Sequence, residues 1–301
     1  MELDHQLEKI DLEKFHKRND LYPVIYVITV YLLLIGLFSW YLINPEVYKF
    51  FICFCLIAIL QHHLSIIHHE AVHYTLLQNH FLNELIGSLS AFFIGFTMRY
   101  RNIHFEHHRS LGMINDPDLK NYKNYPSNIN YFLKDLLLNL FALSAIIQFI
   151  KQSFLIRKDD QALDDKNQNT SISFDYGLFG VAAIQTIMLV SFYLMGHIEV
   201  YFLLWLLPLV TLTKFIAHFR NVAEHICLDG SSRYRTIKCN PLEQFIFAPM
   251  NFNYHYEHHF YPQIPFYNLP KVHNALYKQN PELYAEIIEK SYIYTLKQGV
   301  I

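Results

Sequence analysis

The chain has 301 residues, of which 52% are hydrophobic, 16% aromatic and only 17% charged. This composition is too apolar for an ordinary soluble domain of this length, and it favours a membrane protein. The formal net charge of −2 and the lack of a basic cluster exclude nucleic acid as a partner. The four cysteines form no CxxC pair, so no zinc ribbon, iron–sulfur cluster or disulfide framework is indicated.

Four apolar stretches predict transmembrane helices, arranged as two hairpins. Charged residues recur through the first 22 positions, so we expect no cleavable signal peptide. The stretch at 24–43 then carries no charge and has about the 20 residues that cross a bilayer. After the turn at Asn44-Pro45-Glu46, residues 47–67 predict a returning span. Residues 177–195 and 200–217 predict the second hairpin.

Two further apolar segments, 81–98 and 136–150, are short or interrupted by polar residues. If 81–98 crossed the bilayer, histidines before and after it would face opposite compartments and could not share a site. We therefore expect both segments to be interfacial helices. The polar run at 157–169 is expected to be a linker between the two halves.

This arrangement predicts one membrane domain over 1–301, with a cytoplasmic helical cap from 68–176 and 218–301. Of the 24 Lys and Arg residues, all except Lys49 and Lys214 then fall in cytoplasmic segments. The bias matches the positive-inside rule, so both termini and the cap are expected on the cytoplasmic side.

Histidine is the unusual residue, with 18 copies. "HFEHH" at 104–108 returns as "HYEHH" at 255–259, and both follow hydrophobic sequence. Side chains three or four positions apart share a helix face, so we expect each HxxHH triplet to project together as half of a metal site. The i, i+4 pair His69 and His73 forms another such group. "HFRNVAEH" adds His218, Asn221 and His225 on one helical stripe.

The glutamates inside these motifs have a different expected role. Glu106 and Glu257 lie about 200° from the first histidine of their own motifs, so they cannot join that metal face. We expect them to accept a hydrogen bond from a histidine of a neighbouring element, which fixes its tautomer. Glu70 and Glu224 are candidates for the same role.

The number of imidazoles predicts two metal ions, because eight or nine ligands exceed what one zinc or iron takes. Imidazole alone suits Zn, Cu, Fe or Ni. Iron that activates O₂ explains the apolar setting, since oxidising an alkyl chain needs a strong oxidant beside the phase that holds the chain. Soluble di-iron proteins use a glutamate-rich ligand set, from which this sequence departs.

Three motifs resemble the histidine boxes of the integral-membrane fatty acid desaturase superfamily, in order and approximate spacing. They are "HEAVH" at 69–73, "RYRNIHFEHHRSLGMINDPD" at 99–118 and "NYHYEHHFYPQIPFYNLPKVH" at 253–273. "RNVAEH" resembles the family's extra histidine site between the second and third boxes. The resemblance covers roughly 22–273, and the third box is its most specific part.

The resemblance implies an all-α integral membrane fold whose cytoplasmic cap holds a di-iron centre. The implied ligands are His69, His73, His104, His107, His108, His225, His255, His258 and His259. Asn221 would reach one iron through water. His68 competes with His69, because first boxes occur with either spacing, and the "HE" dipeptide favours His69. His218 and His273 are expected to be structural or to support ligands.

The implied reaction is O₂-dependent desaturation of a long acyl chain carried by a lipid, CoA or acyl-carrier protein. No cytochrome or ferredoxin signature occurs in the sequence, so the electrons are expected from a separate ferredoxin, or a b-type cytochrome with its reductase. The acyl chain would enter between the spans and the cap, where Phe92, Phe93 and Phe96 are candidate lining residues, with core packing the alternative.

Three alternatives remain open. The superfamily also contains hydroxylases, ketolases and acetylenases of lipids or terpenoids. "HEAVH" satisfies the HExxH pattern of zinc proteases, with Glu70 as general base, but this explains only two histidines. A non-enzymatic metal carrier would bind metal without consuming O₂.

Overall fold

The computed structural model describes residues 13–141, 143, 175–227 and 234–300, so the expected linker at 157–169 lies outside the described residues. The described chain is almost entirely helical. Its α-helices, in chain order, are α1 Leu21–Ile43, α2 Val47–Val72, α3 His80–Phe93, α4 Tyr100–Ser110, α5 Leu119–Tyr122, α6 Ile129–Leu140, α7 Gly177–Leu194, α8 Ile198–His225, α9 Pro241–Phe247, α10 His255–Phe260, α11 Leu269–Gln279, α12 Pro281–Ile287 and α13 Tyr292–Gln298. Short 3₁₀ turns at Glu13–Phe15, Pro249–Asn251 and Phe266–Asn268 and two strands, β1 Thr236–Ile237 and β2 Ile288–Glu289, complete it.

Four of these helices, α1, α2, α7 and α8, are long and apolar enough to cross a membrane. This confirms the predicted all-α membrane fold with four spans. The largest differences from the predicted ends are at the C-terminal ends of α2, which continues to Val72, and of α8, which continues to His225. Both helices therefore extend past the apolar stretch and carry candidate ligand histidines, His69 and His225, on their last turns.

The spans α2 and α8 form the more buried inner pair, whereas α1 and α7 expose most of their surface. α8 contains π-helical stretches on either side of Pro208. Such turns leave carbonyl groups without their usual α-helical partners. Gln61, fully buried in α2, donates to the carbonyl of Trp205 at 2.8 Å and accepts from the Thr213 hydroxyl at 2.7 Å. A single polar side chain thus fixes the register of the two inner spans.

The segment at 81–98, expected to be an interfacial helix, contains the 14-residue helix α3, which ends at Phe93. Two contacts hold it. Asn83 donates to the carbonyl of Ala71 at 2.9 Å, and Gln185 of α7 donates to the carbonyls of Phe92 and Phe93 at 3.0 and 2.8 Å. The last carbonyls of α3, which its own helix cannot satisfy, are therefore bonded by a neighbouring span. Of the segment at 136–150, only the part in α6 and the two residues at 141 and 143 lie within the described chain.

The closest approach of α3 to α2 depends on Gly87. A Cβ atom added there would lie 2.3 Å from the Cβ of Ala71. We expect Gly87→Ala to destabilise the protein by about 1–3 kcal/mol, because overpacking a rigid helix contact outweighs the better helix propensity of alanine. Thermal unfolding in detergent measures this. Gly36→Ala is the matched control, since nothing lies within 4 Å of its added Cβ; an equal melting temperature for both variants would contradict the packing account.

The cap is closed by segments distant in sequence. β1 and β2 pair in parallel, and the buried Arg235 binds Glu289 at 2.7 Å beside this pairing. The amide of Ser127 donates to the carbonyl of Gly299 at 2.8 Å. The side chain of Asn268, at the start of α11, donates to the carbonyl of Phe15. These contacts gather both ends of the described chain around the histidine-bearing helices.

Candidate metal centre

Five imidazoles converge in one largely buried group, here called cluster A. They come from α2 and the residue that follows it, from α4 and from α10. Their donor nitrogens lie within 4.8 Å of one another, and the members are His69, His73, His104, His108 and His258. His104 is central, with its Nε2 at 2.8 Å from Nε2 of His69, 2.8 Å from that of His73 and 2.9 Å from that of His108.

Four further imidazoles form cluster B, which consists of His107, His225, His255 and His259. The donor nitrogens of His107, His225 and His259 lie within 4.8 Å of one another. Nε2 of His255 lies 3.0 Å from Nε2 of both His225 and His259. The rings of His108 and His259 stack at 4.1 Å between centroids, so the two clusters are adjacent. All nine histidines lie at the same end of the spans, as a shared site requires.

The expectation that each HxxHH triplet would project together is wrong. His104 and His108 enter cluster A while His107, between them, enters cluster B. The third box does the reverse: His255 and His259 enter cluster B and His258 enters cluster A. The physical reason is angular, because positions i and i+4 differ by about 40° around a helix, whereas i+3 lies about 60° on the other side of i. Each box therefore serves both clusters.

Local structure aims these side chains. His73 follows the end of α2, whose last carbonyls would lack partners. Arg101 of α4 donates to the carbonyls of Val72 at 2.9 Å and Ala71 at 3.1 Å, and its guanidinium packs over the ring of Tyr74. This contact binds the second box to the first.

Before the third box, Met250 and Asn251 both have φ of 56°. Such left-handed turns cost energy in non-glycine residues and often mark functional sites.

The geometry of cluster A is not that of a hydrogen-bond network. A ring nitrogen of a neutral imidazole either donates one hydrogen bond or accepts one. Nε2 of His104 nevertheless has three nitrogen neighbours within 2.9 Å. At most one of these three contacts can be a hydrogen bond. Hydrogen bonding therefore does not explain why the Nε2 atoms of His69, His73 and His108 all lie beside that of His104. This arrangement is compatible with a metal site.

Burial disfavours the protonated form of several of these imidazoles. Burial, followed by the charges of neighbouring imidazoles, lowers the pKa of His104, His255, His258 and His259 well below the usual value. Burial also lowers the pKa of His108 to about 3. Neutral imidazoles with free lone pairs are the ligand form.

A carboxylate that sequence reasoning missed supports cluster B. Nδ1–H of His107 donates to Asp116 at 2.9 Å, which leaves Nε2 free for the cluster. Asp116 also accepts from the hydroxyl of Tyr122 and from the amide of Gly112. Burial alone would raise the pKa of Asp116, but the hydrogen bonds from His107, Tyr122 and Gly112 outweigh it and lower the pKa to about 2. The available signal was the "NDPD" run after the second box.

The four glutamates occupy different places. Glu224 lies 3.6 Å from Nδ1 of His255 and accepts from the hydroxyl of Tyr292, and Glu70 lies 3.8 Å from Nδ1 of His69. Glu257 pairs with a histidine of a neighbouring element, as expected, but that residue is His273 at 2.6 Å, outside both clusters.

The position of Glu106 contradicts the prediction. Its side chain is expected beside a histidine of a neighbouring element, but it instead pairs with Arg109 at 2.9 Å and Asn115 at 3.0 Å on the surface. On the helix α4 it lies opposite the buried histidine face, which explains its exposure.

The remaining candidate ligands lie in different places, some inside the clusters and some outside. His69 lies in cluster A, whereas His68 faces away and packs near the ring of Tyr100. His218 donates to Asp135 at 2.6 Å, outside the clusters. Asn221 lines a cavity, and its side-chain oxygen is buried with no hydrogen-bond partner among the described residues.

That cavity has a volume of about 490 Å³ and reaches cluster A at His69. Phe96, one of the three candidate lining phenylalanines, lines it, although packing in the core or against lipid was favoured for each of them. Phe93 instead packs in the core, with its ring 5.6 Å from Tyr31 and 6.0 Å from Trp205. The size is typical of a small-molecule site.

Comparison with known proteins agrees with this architecture. A family model described as fatty acid desaturase matches residues 45–291. Dihydrorhizobitoxine desaturase of Bradyrhizobium elkanii is 29% identical over 238 residues, which cover 72% of this chain. The match spans 64% of the length of that relative. Because the family model covers most of the chain, including both clusters and the three spans α2, α7 and α8, the chain belongs to the fatty acid desaturase family.

Proposed function

We propose that the protein desaturates an alkyl chain with O₂ at a pair of iron ions held by the nine clustered histidines. One observation carries this: two adjacent groups of imidazoles, most of them buried, lie at one end of the apolar helices, beside a cavity that touches His69. Cluster A would hold one iron and cluster B the other. Asn221, with its unpaired buried oxygen, is proposed to reach one ion through water.

The nitrogen spacing favours a six-coordinate ion, such as the iron proposed here, over tetrahedral zinc. Two donors that are each about 2.1 Å from one ion lie about 3.0 Å apart at a right angle and about 3.4 Å apart at the tetrahedral angle. The nitrogens around His104 are separated by 2.8 to 2.9 Å, and those around His255 by 3.0 Å. Right-angled donors are typical of six-coordinate iron, whereas structural and catalytic zinc is tetrahedral.

The zinc protease alternative fits poorly. Its general base, Glu70, would have to face the metal and a bound water. Glu70 instead lies on the Nδ1 side of His69, while the nitrogen that faces cluster A is Nε2. Its carboxylate accepts from the Thr75 hydroxyl at 2.9 Å. Three more histidines in the same cluster would also have no role.

The overall reaction would convert –CH₂–CH₂– plus O₂, two electrons and two protons into –CH=CH– and two waters. When bound, the irons would supply the O₂ activation that removes the two hydrogens. The protein's own residues hold the chain against the apolar side of the cavity, where Ile66, Ile94 and Phe96 exclude water beside His69. Asp116 orients His107 through a hydrogen bond, and the carboxylate of Glu224 lies 3.6 Å from Nδ1 of His255.

The finer assignments are also proposals. We propose a long-chain fatty acyl substrate, as in the family description. The relative that matches at 29% identity is named for a different substrate, dihydrorhizobitoxine. We further propose that a separate ferredoxin, or a b-type cytochrome with its reductase, delivers the electrons. We also propose that the cap and both termini lie on the cytoplasmic side and that 1–301 acts as one domain.

The test is expression in a host with simple lipids, followed by fatty acid profiling by mass spectrometry and metal analysis of the purified protein. We expect one new cis-unsaturated product, O₂ consumption that depends on NAD(P)H, and about two irons per chain. A hydroxylated product would place the protein among the hydroxylases of the family. One zinc per chain, or metal binding without O₂ consumption, would overturn the proposal.

A further inference from the structure

A second pocket, of about 420 Å³, lies at the start of the first span and shares no lining residue with the cavity that reaches His69. Three separate parts of the chain form it: the segment that leads into α1, Gln78 after α2, and the segment around the start of α11. Because α1 and α2 form a hairpin, the start of α1 and the end of α2 lie at the same membrane surface. The pocket is therefore on the same side of the membrane as the histidine clusters.

Basic side chains dominate the lining of this pocket. Four of its residues are basic and one is acidic, namely Lys14, Lys17, Arg18 and Lys271 against Asp20. The carboxylate of Asp20 precedes the first turn of α1 and accepts from the amide of Gln78 at 2.9 Å. Glu13, the acidic neighbour of Lys14 in the sequence, does not line the pocket. The lining thus has an excess of three positive charges.

Within the described part of the chain, no carboxylate pairs with any of the four basic groups. The ammonium of Lys14 lies 5.0 Å from the ring centroid of Phe15, and that of Lys271 donates to the neutral side chain of Asn268 at 2.9 Å. The side chains of Lys17 and Arg18 have no recorded hydrogen bond or ion pair among the described residues. Their charges are available to a ligand.

Hydrogen bonds between the three segments hold the pocket in shape. The buried side chain of Asn268 donates to the carbonyl of Phe15 at 2.8 Å and to that of Lys17 at 3.2 Å. The amide of Asn19 donates to the hydroxyl of Tyr267 at 2.6 Å. Because this hydroxyl accepts, its own hydrogen can be donated to a ligand. Cations and hydrogen-bond donors held together in this way complement a phosphate group.

Below the pocket, the first span carries a continuous apolar stripe. Large exposed side chains recur along α1 at a spacing of four and three residues, at Leu21, Ile25, Ile28, Leu32 and Ile35. This spacing places them on one face of the helix. Tyr22, which lines the pocket, lies in the first turn of the same helix, where tyrosine is typical of the membrane surface. A molecule with a charged head and a hydrocarbon tail would contact both the pocket and the stripe.

We propose that this pocket binds the phosphate of an anionic membrane phospholipid, whose acyl chains lie along the stripe of α1. Basic pockets beside spanning helices are typical sites for anionic lipid headgroups. A soluble phosphate could use the charges of the pocket but not the stripe. The bound lipid would join the segment before α1 to the segment that follows the third histidine box, and so stabilise the cap against the membrane. This inference goes beyond the proposed reaction and requires no metal.

The experiment measures equilibrium binding to the full chain in detergent micelles. The probes are phosphatidylglycerol, zwitterionic phosphatidylcholine and soluble glycerol phosphate. Lys17→Gln/Lys271→Gln removes two charges from the pocket, and Lys123→Gln/Lys278→Gln is the charge-matched control, since both of its lysines are exposed and outside the pocket. Melting temperatures in phosphatidylcholine show that both double variants are folded.

We expect the wild type to prefer phosphatidylglycerol over phosphatidylcholine and to melt at a higher temperature when it is bound. Each lysine of the pocket should contribute about fivefold to that preference, so Lys17→Gln/Lys271→Gln should lose roughly 25-fold, while the control double variant keeps it. These measurements need neither O₂ nor an electron donor, so their outcome is independent of the proposed reaction.

Three results would overturn the proposal. An equal loss in both double variants would show that the net charge of the whole surface, rather than the pocket, attracts the lipid. Equally tight binding of glycerol phosphate would identify a soluble ligand. A wild type without any preference would show that the pocket is not open to a lipid, as would follow if the acidic residues before Glu13 occupied it.

Discussion

Alanine at His107 is expected to abolish product formation and to remove the metal of cluster B, although the adjacent His108 serves cluster A. Loss of a ligand should lower activity at least about a hundredfold, since residues that merely support ligands are worth 10–100-fold. Bound iron should fall from about two to about one per chain. His259→Ala should behave like His107→Ala, whereas His258→Ala should affect cluster A.

Iron analysis, Mössbauer spectra and product profiles measure these effects, and membrane fractionation shows that the variants still insert. His197→Ala is the control, because this histidine lies between α7 and α8, where its recorded partner is Glu199, outside both clusters. Full activity in all three cluster variants would exclude the metal assignment. Identical Mössbauer changes for His107→Ala and His258→Ala would contradict the division into two clusters.

Asp116→Ala is expected to lower activity or iron affinity by about 10–100-fold, as for other carboxylates that hold a ligating histidine. The variant leaves Nδ1–H of His107 and the hydroxyl of Tyr122 without their shared acceptor in a buried place. The imidazole can then rotate or change tautomer, so Nε2 no longer stays in cluster B. Activity measured against added Fe²⁺ separates weakened iron binding from slower chemistry.

Glu106→Gln provides the matched control, because it changes a carboxylate in the same box that pairs only with surface groups among the described contacts. We expect its activity to equal that of the wild type. A larger effect from Glu106→Gln than from Asp116→Ala would show that the exposed residue, rather than the buried one, orients the metal ligands.

The comparison of Asp116 with Glu106 also shows what sequence could predict. The nine candidate histidines and the four spans could be identified in the sequence, because the length of an apolar stretch and the spacing within an HxxHH motif are local properties. The partners of those histidines depend on loops that fold back, and Asp116 reaches His107 only through the turn after α4. Glu106 was attractive because it lies inside the box, but its side of the helix faces away from the clusters.

The division of each box between the clusters could not be predicted either. A helical wheel places positions i, i+3 and i+4 on one broad face, and that is enough to suggest a shared ion. When two ions lie side by side, the same face spans both. The cavity was equally hidden, since its lining residues Lys120 and Lys214 are 94 positions apart and reach the same cavity only because α5 packs beside α8.

The interleaving of the two boxes has a consequence for how such a sequence can change over time. One residue inserted or deleted between His104 and His107 would rotate every later side chain of α4 by about 100°, removing donors from both clusters in a single event. A substitution at Glu106, which faces the surface, would leave the positions of the histidines unchanged. The spacing of the histidines in each five-residue motif is therefore more tightly constrained than the identity of the residues between them.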